Sequence, residues 1–184
     1  WLTRGPDNVR LALIERIAPP LPVSDQPAGF GPVFNSSQIV RDMDAALDFY
    51  CGVLGFQRAV SFQTGALPSA ANVMGLPPGL AAQASLDLQI VHPRGLKEGS
   101  IEIVSVNGAG GLDLSDSAML PNFGMALLRL PVRGLSLLAD HLARQGWPLA
   151  MPLTRVSLVP HGEVDLLAVR APEGARLEFY EAAA

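Results

Sequence analysis

The stretch NSSQIVRDMDAALDFYCGVLGF, residues 35–56, predicts a strand, a short amphipathic helix and a closing turn. Asp42 stands at the start of the helix, where a carboxylate can accept backbone N–H groups. Helical spacing predicts one apolar stripe, which is formed by Met43, Ala46, Leu47, Tyr50 and Leu54. The approach strand is polar on both faces, which is unusual for a half-buried strand. We therefore expect the catalytic or ligand-binding residues of this unit to lie at the end of its strand.

The rest of the chain repeats this strand–helix unit. One cycle of strand, helix and three strands is predicted over residues 33–107 and a second over 124–181, and such a repeat is a stronger indicator of fold than a single motif. The predicted strands are 57–63, 85–91 and 100–106 in the first cycle, and 125–132, 149–158, 164–169 and 176–181 in the second. The second helix is predicted over 135–145, with Gly146 as the residue that ends it. Residues 64–82 are rich in Gly and Pro and predict a loop that packs over part of the fold.

A further repeat is found at the start of the chain. GPDNVRLALIE (5–15) aligns with APEGARLEFYE (171–181) and pairs Arg10 with Arg176 and Glu15 with Glu181. We therefore predict that residues 1–17 are a closing strand like the end of a preceding module, and that further modules precede Trp1. The remaining predicted boundaries are a linker at 18–32, a βαβββ module at 33–108, a linker at 109–121 and a second βαβββ module at 122–182.

Composition excludes several classes of function. The chain has 184 residues, 49% of them hydrophobic, so it can bury a substantial core, and its net charge of −4 argues against a nucleic-acid binder. Its apolar runs are far shorter than the roughly 20 residues of a membrane span. Cys51 is the only cysteine, which rules out an internal disulfide and favours a cytoplasmic location. No pair of His or Cys residues has metal-ligand spacing.

Three segments together resemble the vicinal oxygen chelate superfamily: IVRDMDAALDFYCGVLGF (39–56), IEIVSV (101–106) and APEGARLEFYE. This group includes glyoxalases, bleomycin resistance proteins, methylmalonyl-CoA epimerases and extradiol dioxygenases. The resemblance implies an α+β fold, in which paired βαβββ modules form a curled, cleft-enclosing mixed sheet with helices packed outside. It also implies that module pairing is completed by a homodimer or by further modules of the same chain.

Metal-dependent members of this group place a His on the first strand of a module and a Glu on a last strand. By this resemblance the first-strand position is Asn35, seven residues before Asp42, and in the second cycle it is Met125 or Leu127. The last-strand carboxylates are present as Glu102 and Glu178, whereas the N-terminal repeat has Ala12. The resemblance therefore implies that the usual metal-binding histidines are missing.

The two glutamates are the candidate catalytic residues. Strand alternation places Glu102 on the other face of its strand from Ile101 and Ile103, and Glu178 on the other face from Leu177 and Phe179. Each glutamate therefore lies away from an apolar face. Two interpretations are open. Either both glutamates line one cleft, or each points to solvent or pairs with an arginine. If they lie close together without a metal, mutual repulsion would raise one pKa and create a general acid or base.

The candidate ligand-binding residues are Asn35, Gln38 and His161. His161 lies before a strand and can reach a cleft rim, whereas His92 is predicted in a turn and His141 on a helix flank. No metal ligand and no cofactor are predicted; a divalent metal is the alternative, although two carboxylates without imidazole make a poor site for iron or zinc.

Three interpretations of function follow. The first is a protein that binds a small hydrophobic or aromatic molecule in an inter-module cleft without a metal. The second is a metal-dependent lyase, isomerase or dioxygenase with Glu102 and Glu178 as ligands. The third is a catalytically silent module pair of a longer four-module enzyme.

Overall fold

The N-terminal residues form a two-stranded hairpin. The computed structural model describes residues 1–18, 31, 33–65, 72 and 74–182. Within them, β1 (Leu2–Arg4) pairs antiparallel with β2 (Arg10–Ala12), and one turn of 3₁₀ helix at Pro6–Asn8 joins the two strands. A strand is thus present within residues 1–17, as predicted from the sequence.

The first cycle forms a four-stranded mixed sheet. Its elements are β3 (Asn35–Ile39), α1 (Met43–Leu47) with a π-helical continuation (Asp48–Val53), β4 (Gln57–Thr64), α2 (Pro78–Ala81), β5 (Ser85–His92) and β6 (Ser100–Asn107). The strand order is β3-β6-β5-β4, with β3 parallel to β6 and the other pairs antiparallel. This parallel pair is central to the candidate site, because it sets the last strand of the cycle beside the first.

The second cycle repeats this topology. Its elements are β7 (Leu127–Pro131), α3 (Leu135–Arg144), β8 (Leu149–Leu158), β9 (Gly162–Arg170) and β10 (Arg176–Ala182). The strand order is β7-β10-β9-β8, and β7 is parallel to β10. Gly146 has a φ of 67° just after α3, as predicted for the residue that ends this helix. The predicted α+β class is confirmed, although each cycle forms an open four-stranded sheet, so the curled sheet stays a prediction.

The hairpin of β1 and β2 has the same register as the hairpin of β9 and β10. The matching pairs are Arg4–Arg10 with Arg170–Arg176, Thr3–Leu11 with Val169–Leu177, and Leu2–Ala12 with Ala168–Glu178. Each five-residue loop is closed by one backbone bond, Gly5 N to Val9 O at 2.8 Å and Ala171 N to Ala175 O at 2.9 Å. The repeat seen in the sequence is therefore also a repeat of backbone pairing.

Contacts divide the chain into two compact units. The first is Trp1–Met43 with Leu54–Gly111, and the second is Asp44–Val53 with Leu112–Ala184. Most of the first helix thus belongs to the second unit, where the ring of Phe49 lies 4.6 Å from that of Trp147. Because the helix widens to π geometry after Leu47, the predicted stripe at 3.6-residue spacing misses the buried Phe49.

Each sheet carries buried apolar side chains on both faces. In the second unit α3 packs against β9 and β10, and the side chains of Leu167, Val169, Leu177 and Phe179 are buried on one face of the sheet. In the first unit the described part of the predicted 64–82 loop covers the sheet, since Met74 and Leu76 pack against Leu86 and Val104. Residues 66–71 and 73 of that loop, and 19–30 and 32 of the predicted linker, lie outside the described residues. Over the described part of the chain, the helices fall short of the length and apolarity that crossing a membrane requires.

Candidate functional site

Glu102 is paired with Ser37 in the first unit. The two residues are directly opposite on the parallel strands β3 and β6, and the Ser37 hydroxyl donates a hydrogen bond to Oε2 of Glu102. The carboxylate is partly exposed, so it remains accessible to a small molecule. Its neighbour on β5 is the buried Ile90. Glu102 thus lies between a polar neighbour on β3, Ser37, and an apolar neighbour on β5, Ile90.

Asn35 and Gln38 lie on opposite faces of β3. Asn35 pairs with Ser100, two residues before Glu102, so it shares the face of Glu102. Gln38 pairs with the buried Ile103 and lies on the other face. The register runs without a shift from Asn35 to Ile39, so alternate residues of β3 keep to opposite faces. The roles of both residues in ligand binding stay predictions.

Glu178 is held by two arginines in the second unit. Arg129 lies directly opposite on β7 and donates from Nε at 2.9 Å and Nη2 at 2.7 Å to Oε2. Arg176 donates from Nε at 3.1 Å to Oε1, and its Nη2 lies 3.1 Å from the same oxygen as an ion-pair contact. Glu178 is 5% exposed. Both carboxylate oxygens are therefore engaged in charge-assisted hydrogen bonds, which is the pairing with arginine considered above.

His161 packs on an aromatic ring of the Glu178 strand. Its ring centroid lies 4.8 Å from that of Tyr180, and the Tyr180 hydroxyl lies 3.4 Å from Nε2 of His161. Tyr180 is two residues beyond Glu178 and thus on the same face of β10. An open depression follows this edge of the sheet, lined by Pro131, Val132, Arg133, His161, Tyr180, Glu181 and Ala182. The structure therefore brings His161 to the face that carries Glu178.

We call this surface the Glu178 face and define it by six side chains that strand register places on one side of the sheet. They are Arg129, Leu166, Ala168, Arg176, Glu178 and Tyr180. Ala168 is directly opposite Glu178, and Leu166 is directly opposite Tyr180; both are buried. The Glu178 face thus combines one cluster of charge with an apolar floor and an aromatic edge.

The other two histidines have local structural roles. Nδ1 of His92 accepts hydrogen bonds from the backbone N–H groups of Arg94 and Leu96, which closes the turn after β5. Burial and the nearby Arg94 lower the pKa of His92. His141, on the flank of α3, contacts the carbonyl of Val53 through Nε2 at 2.8 Å. Both positions agree with the turn and the helix flank predicted from the sequence.

A buried carboxyl that sequence reasoning missed lies in the turn between β9 and β10. The Tyr50 hydroxyl donates to Oε1 of Glu173 at 3.0 Å, and Oε2 is buried with no hydrogen-bond partner among the described residues. Burial raises the pKa of Glu173, and hydrogen bonds from its own backbone and from Tyr50 only partly offset this. Its position in a Pro-Glu-Gly turn carries no sequence signal for such burial.

A second missed carboxylate caps the N-terminus of α3. Glu181 accepts from the backbone N–H of Gly134 at 2.6 Å and from that of Leu135 at 2.9 Å. These two bonds lower the pKa of Glu181. Position 134 corresponds to Asp42 of the first cycle, so the second cycle takes its capping carboxylate from a distant strand.

The donor groups of this chain fit a divalent metal poorly. The carboxylate of Glu178 is occupied by two guanidinium groups. The second-cycle residue equivalent to Asn35 is Leu127, because Leu127 lies opposite Arg176, two residues before Glu178, as Asn35 lies opposite Ser100, two residues before Glu102. Within residues 1–18, 31, 33–65, 72 and 74–182, no three His, Cys, Asp or Glu side chains form a group that could hold a metal ion. We therefore derive no chemical step through a metal.

Comparison with known proteins identifies the family of this fold. The family model of the glyoxalase/bleomycin resistance protein/dioxygenase superfamily matches residues 33–179. A comparison with curated proteins finds no match.

Solved structures give the same result for the fold. A glyoxalase family protein from Bacillus cereus is 18% identical, with a TM-score of 0.61 over 83% of this chain and 95% of that one. A glyoxalase/bleomycin resistance protein/dioxygenase domain from Frankia sp. is 21% identical, with a TM-score of 0.55 over 84% and 93%. An integron cassette protein from V. cholerae is 17% identical, with a TM-score of 0.52 over 84% and 97%.

Proposed function

Since this chain belongs to the glyoxalase/bleomycin resistance protein/dioxygenase superfamily, we propose that it is a small-molecule-binding member that works without a metal ion. The observation that carries the proposal is the state of Glu178. Its two oxygens accept from Arg129 and Arg176, so a metal would have to displace two guanidinium groups and approach two positive charges. In the first unit, Glu102 has Ser37 and Asn35 beside it on its face, and neutral oxygens are weak ligands for transition metals.

The ligand we propose is hydrophobic or aromatic and binds on the Glu178 face. Leu166 and Ala168 form the buried apolar floor of this face, and the rings of Tyr180 and His161 supply an aromatic edge. Ligand sites of small molecules combine such apolar lining with a few placed polar groups. Tyr180 and His161 are both incompletely buried, so the two rings can be reached from solvent.

The test is metal analysis combined with ligand screening. Protein purified without chelator is analysed for bound elements, and thermal shifts with hydrophobic and aromatic compounds are measured before and after EDTA treatment. We expect no stoichiometric metal and ligand-induced shifts that EDTA leaves unchanged. A stoichiometric divalent metal that disappears in Glu102→Ala or Glu178→Ala would overturn the proposal and support the metal-dependent lyase, isomerase or dioxygenase instead.

The N-terminal hairpin supports a second candidate, in which this module pair assists further modules of the same chain. The hairpin of β1 and β2 repeats the closing hairpin of the second cycle in register and loop length. A hairpin of only two strands is marginally stable, whereas the equivalent hairpin of β9 and β10 is flanked by β8 and β7 in its sheet. Intact mass and N-terminal sequencing of the native protein test this candidate; a natural start at or just before Trp1 contradicts it.

A further inference from the structure

We propose that Arg129 and Arg176 bind a carboxylate, or a similar planar oxyanion, carried by the apolar ligand of the Glu178 face. The inference rests on the proposed function, because it specifies the chemical class of that ligand. A guanidinium can form two parallel hydrogen bonds to a carboxylate, a geometry that lysine does not offer.

The two guanidinium groups are held in place before any ligand arrives. Arg129 donates Nε and Nη2 to Glu178, and Arg176 donates Nε with its Nη2 in ion-pair contact, which leaves Nη1 of each outside these contacts. The side chain of Arg129 is 35% exposed and that of Arg176 is 38% exposed, whereas that of Glu178 is 7% exposed. The cluster thus has a buried anchor and two partly exposed donors. A ligand that binds there orders few additional side-chain rotamers, which lowers the entropic cost of binding.

Among the described residues, the cluster of Arg129, Arg176 and Glu178 carries one positive charge in excess. Two guanidinium groups face one carboxylate, in a chain whose net charge is −4. One bound monocarboxylate would neutralise the cluster. A bound cation would raise its charge to two, which is unfavourable where water is partly excluded. The sign of the cluster therefore selects anionic ligands.

The surroundings restrict the size and shape of the ligand. Beside Glu178 the sheet carries the buried Ala168, and Met151 lies next to Ala168 on β8. Beyond Glu178, Tyr180 adds an aromatic ring two residues along the strand. This arrangement fits an aromatic or branched aliphatic monocarboxylate, with its anionic end on the arginines and its apolar body towards Tyr180.

Another arginine of the same unit provides the contrast. Arg155 forms a one-to-one pair with Asp165, with Nε–Oδ1 at 2.7 Å and Nη2–Oδ2 at 3.0 Å. Asp165 lies directly across from Glu181 of β10 in the strand register, and Glu181 is on the face away from Glu178 and Tyr180. The pair of Arg155 and Asp165 therefore lies on the other side of the sheet from the Glu178 face. Its charges cancel, and both side chains are exposed. Arg155→Gln is therefore a matched control that removes a paired arginine without touching the Glu178 face.

The experiment is isothermal titration of the full chain with 1-naphthoate and with its neutral isostere 1-naphthamide. We expect 1-naphthoate to bind about tenfold or more tightly than 1-naphthamide, as an added charge-assisted hydrogen bond allows. The preference should shrink when the salt concentration rises from about 0.05 M to about 0.5 M, because the cluster is partly exposed. Arg129→Gln and Arg176→Gln should each remove most of the preference, whereas Arg155→Gln should retain it.

Two controls keep the result interpretable. Circular dichroism and thermal unfolding establish that each variant is folded, and Arg129→Lys retains the charge but not the planar fork, so its preference for 1-naphthoate should be intermediate. Equal affinity for the two compounds in the wild-type chain would overturn the anion site and leave the proposed apolar binding standing. Binding of neither compound would count against both proposals.

Discussion

Arg129 lies directly opposite Glu178 on parallel strands, at the register position that Ser37 holds opposite Glu102 in the other cycle. The last-strand glutamate is thus repeated, but its neighbour on the first strand is not. In one unit the neighbour is a hydroxyl that donates one hydrogen bond, and in the other it is a guanidinium that donates two. One repeated residue therefore occupies two chemical environments, and only one of them carries excess positive charge.

Glu178→Gln should destabilise the chain considerably more than Glu102→Gln. Removal of the Glu178 charge leaves two guanidinium groups facing a neutral amide, which should lower the free energy of unfolding by about 2 kcal/mol. This loss is smaller than that for a fully buried ion pair because both arginines are partly exposed. Glu102→Gln keeps an acceptor for Ser37 and should cost less than about 1 kcal/mol. Urea denaturation of both variants measures the difference. Equal losses would show that the arginines do not depend on Glu178.

Much of the fold could be predicted from the sequence because it depends on local pattern. Alternation in SIEIVSV (100–106), the helical spacing of residues 135–144 and the Gly at 146 each predict one element, and the repeat orders the elements into two cycles. The π-helical segment Asp48–Val53 could not be predicted in this way, because apolar spacing is interpreted with a fixed 3.6-residue turn.

The candidate site was only partly predictable. Strand alternation gives the face of Glu178, but the partner of its carboxylate depends on how β7 aligns with β10, a register between segments about fifty residues apart. The same limit applies to Glu181, which caps a helix 46 residues earlier, and to Glu173, whose burial depends on Tyr50. Contacts between distant segments are set by packing, and single-sequence patterns do not encode them.

The stability of the chain should fall with rising pH because of Glu173. The pKa of this carboxyl is raised above its ordinary value of 4.5 in the folded state, so the folded state binds the proton more tightly than the unfolded state. Its favourable contribution is fully present below pH 4.5 and is lost as the pH rises through the raised folded pKa. Glu173→Gln, which cannot ionise, should remove this loss and raise the midpoint of thermal unfolding at neutral pH relative to the wild type.

Tyr50→Phe is the companion measurement for Glu173. Loss of the Tyr50 hydroxyl removes a hydrogen bond that lowers the pKa of Glu173, so the wild-type fall in stability should extend to higher pH. The midpoint of thermal unfolding, followed between about pH 4 and pH 9, reports the change. An unaltered pH profile in Glu173→Gln would mean that another group causes the dependence.

Glu181 should produce the opposite pH dependence. Its folded pKa is lowered below 4.5 by the backbone N–H groups of Leu135 and Gly134, so its contribution is present above pH 4.5 and is lost as the pH falls through the folded value. Glu181→Gln should therefore lower stability at neutral pH and leave it nearly unchanged in acid. Hydrogen exchange at the first turn of α3 should accelerate in this variant, while exchange in the first unit, for example at Ile103, serves as the internal reference. Unchanged protection at Leu135 would contradict the capping role.

Replacement of the whole cluster should separate stability from binding. In the triple variant Arg129→Met, Glu178→Leu, Arg176→Met no charge is left without a partner, and apolar side chains of similar length fill the same space. Replacement of a buried ionic triad by apolar residues is commonly neutral or stabilising, by about 1–4 kcal/mol at most. We expect the triple variant to unfold at a urea concentration at least equal to that of the wild type, and to lose its preference for 1-naphthoate over 1-naphthamide.

The single variant Glu178→Leu is the control for this prediction, because it leaves Arg129 and Arg176 facing an apolar side chain. It should be less stable than both the wild type and the triple variant, since the guanidinium groups lose their acceptor but keep their charges. If the triple variant were as unstable as Glu178→Leu, the ionic cluster would be required for folding. Its excess charge would then have a structural explanation, and the case for a carboxylate site would rest on the 1-naphthoate titration alone.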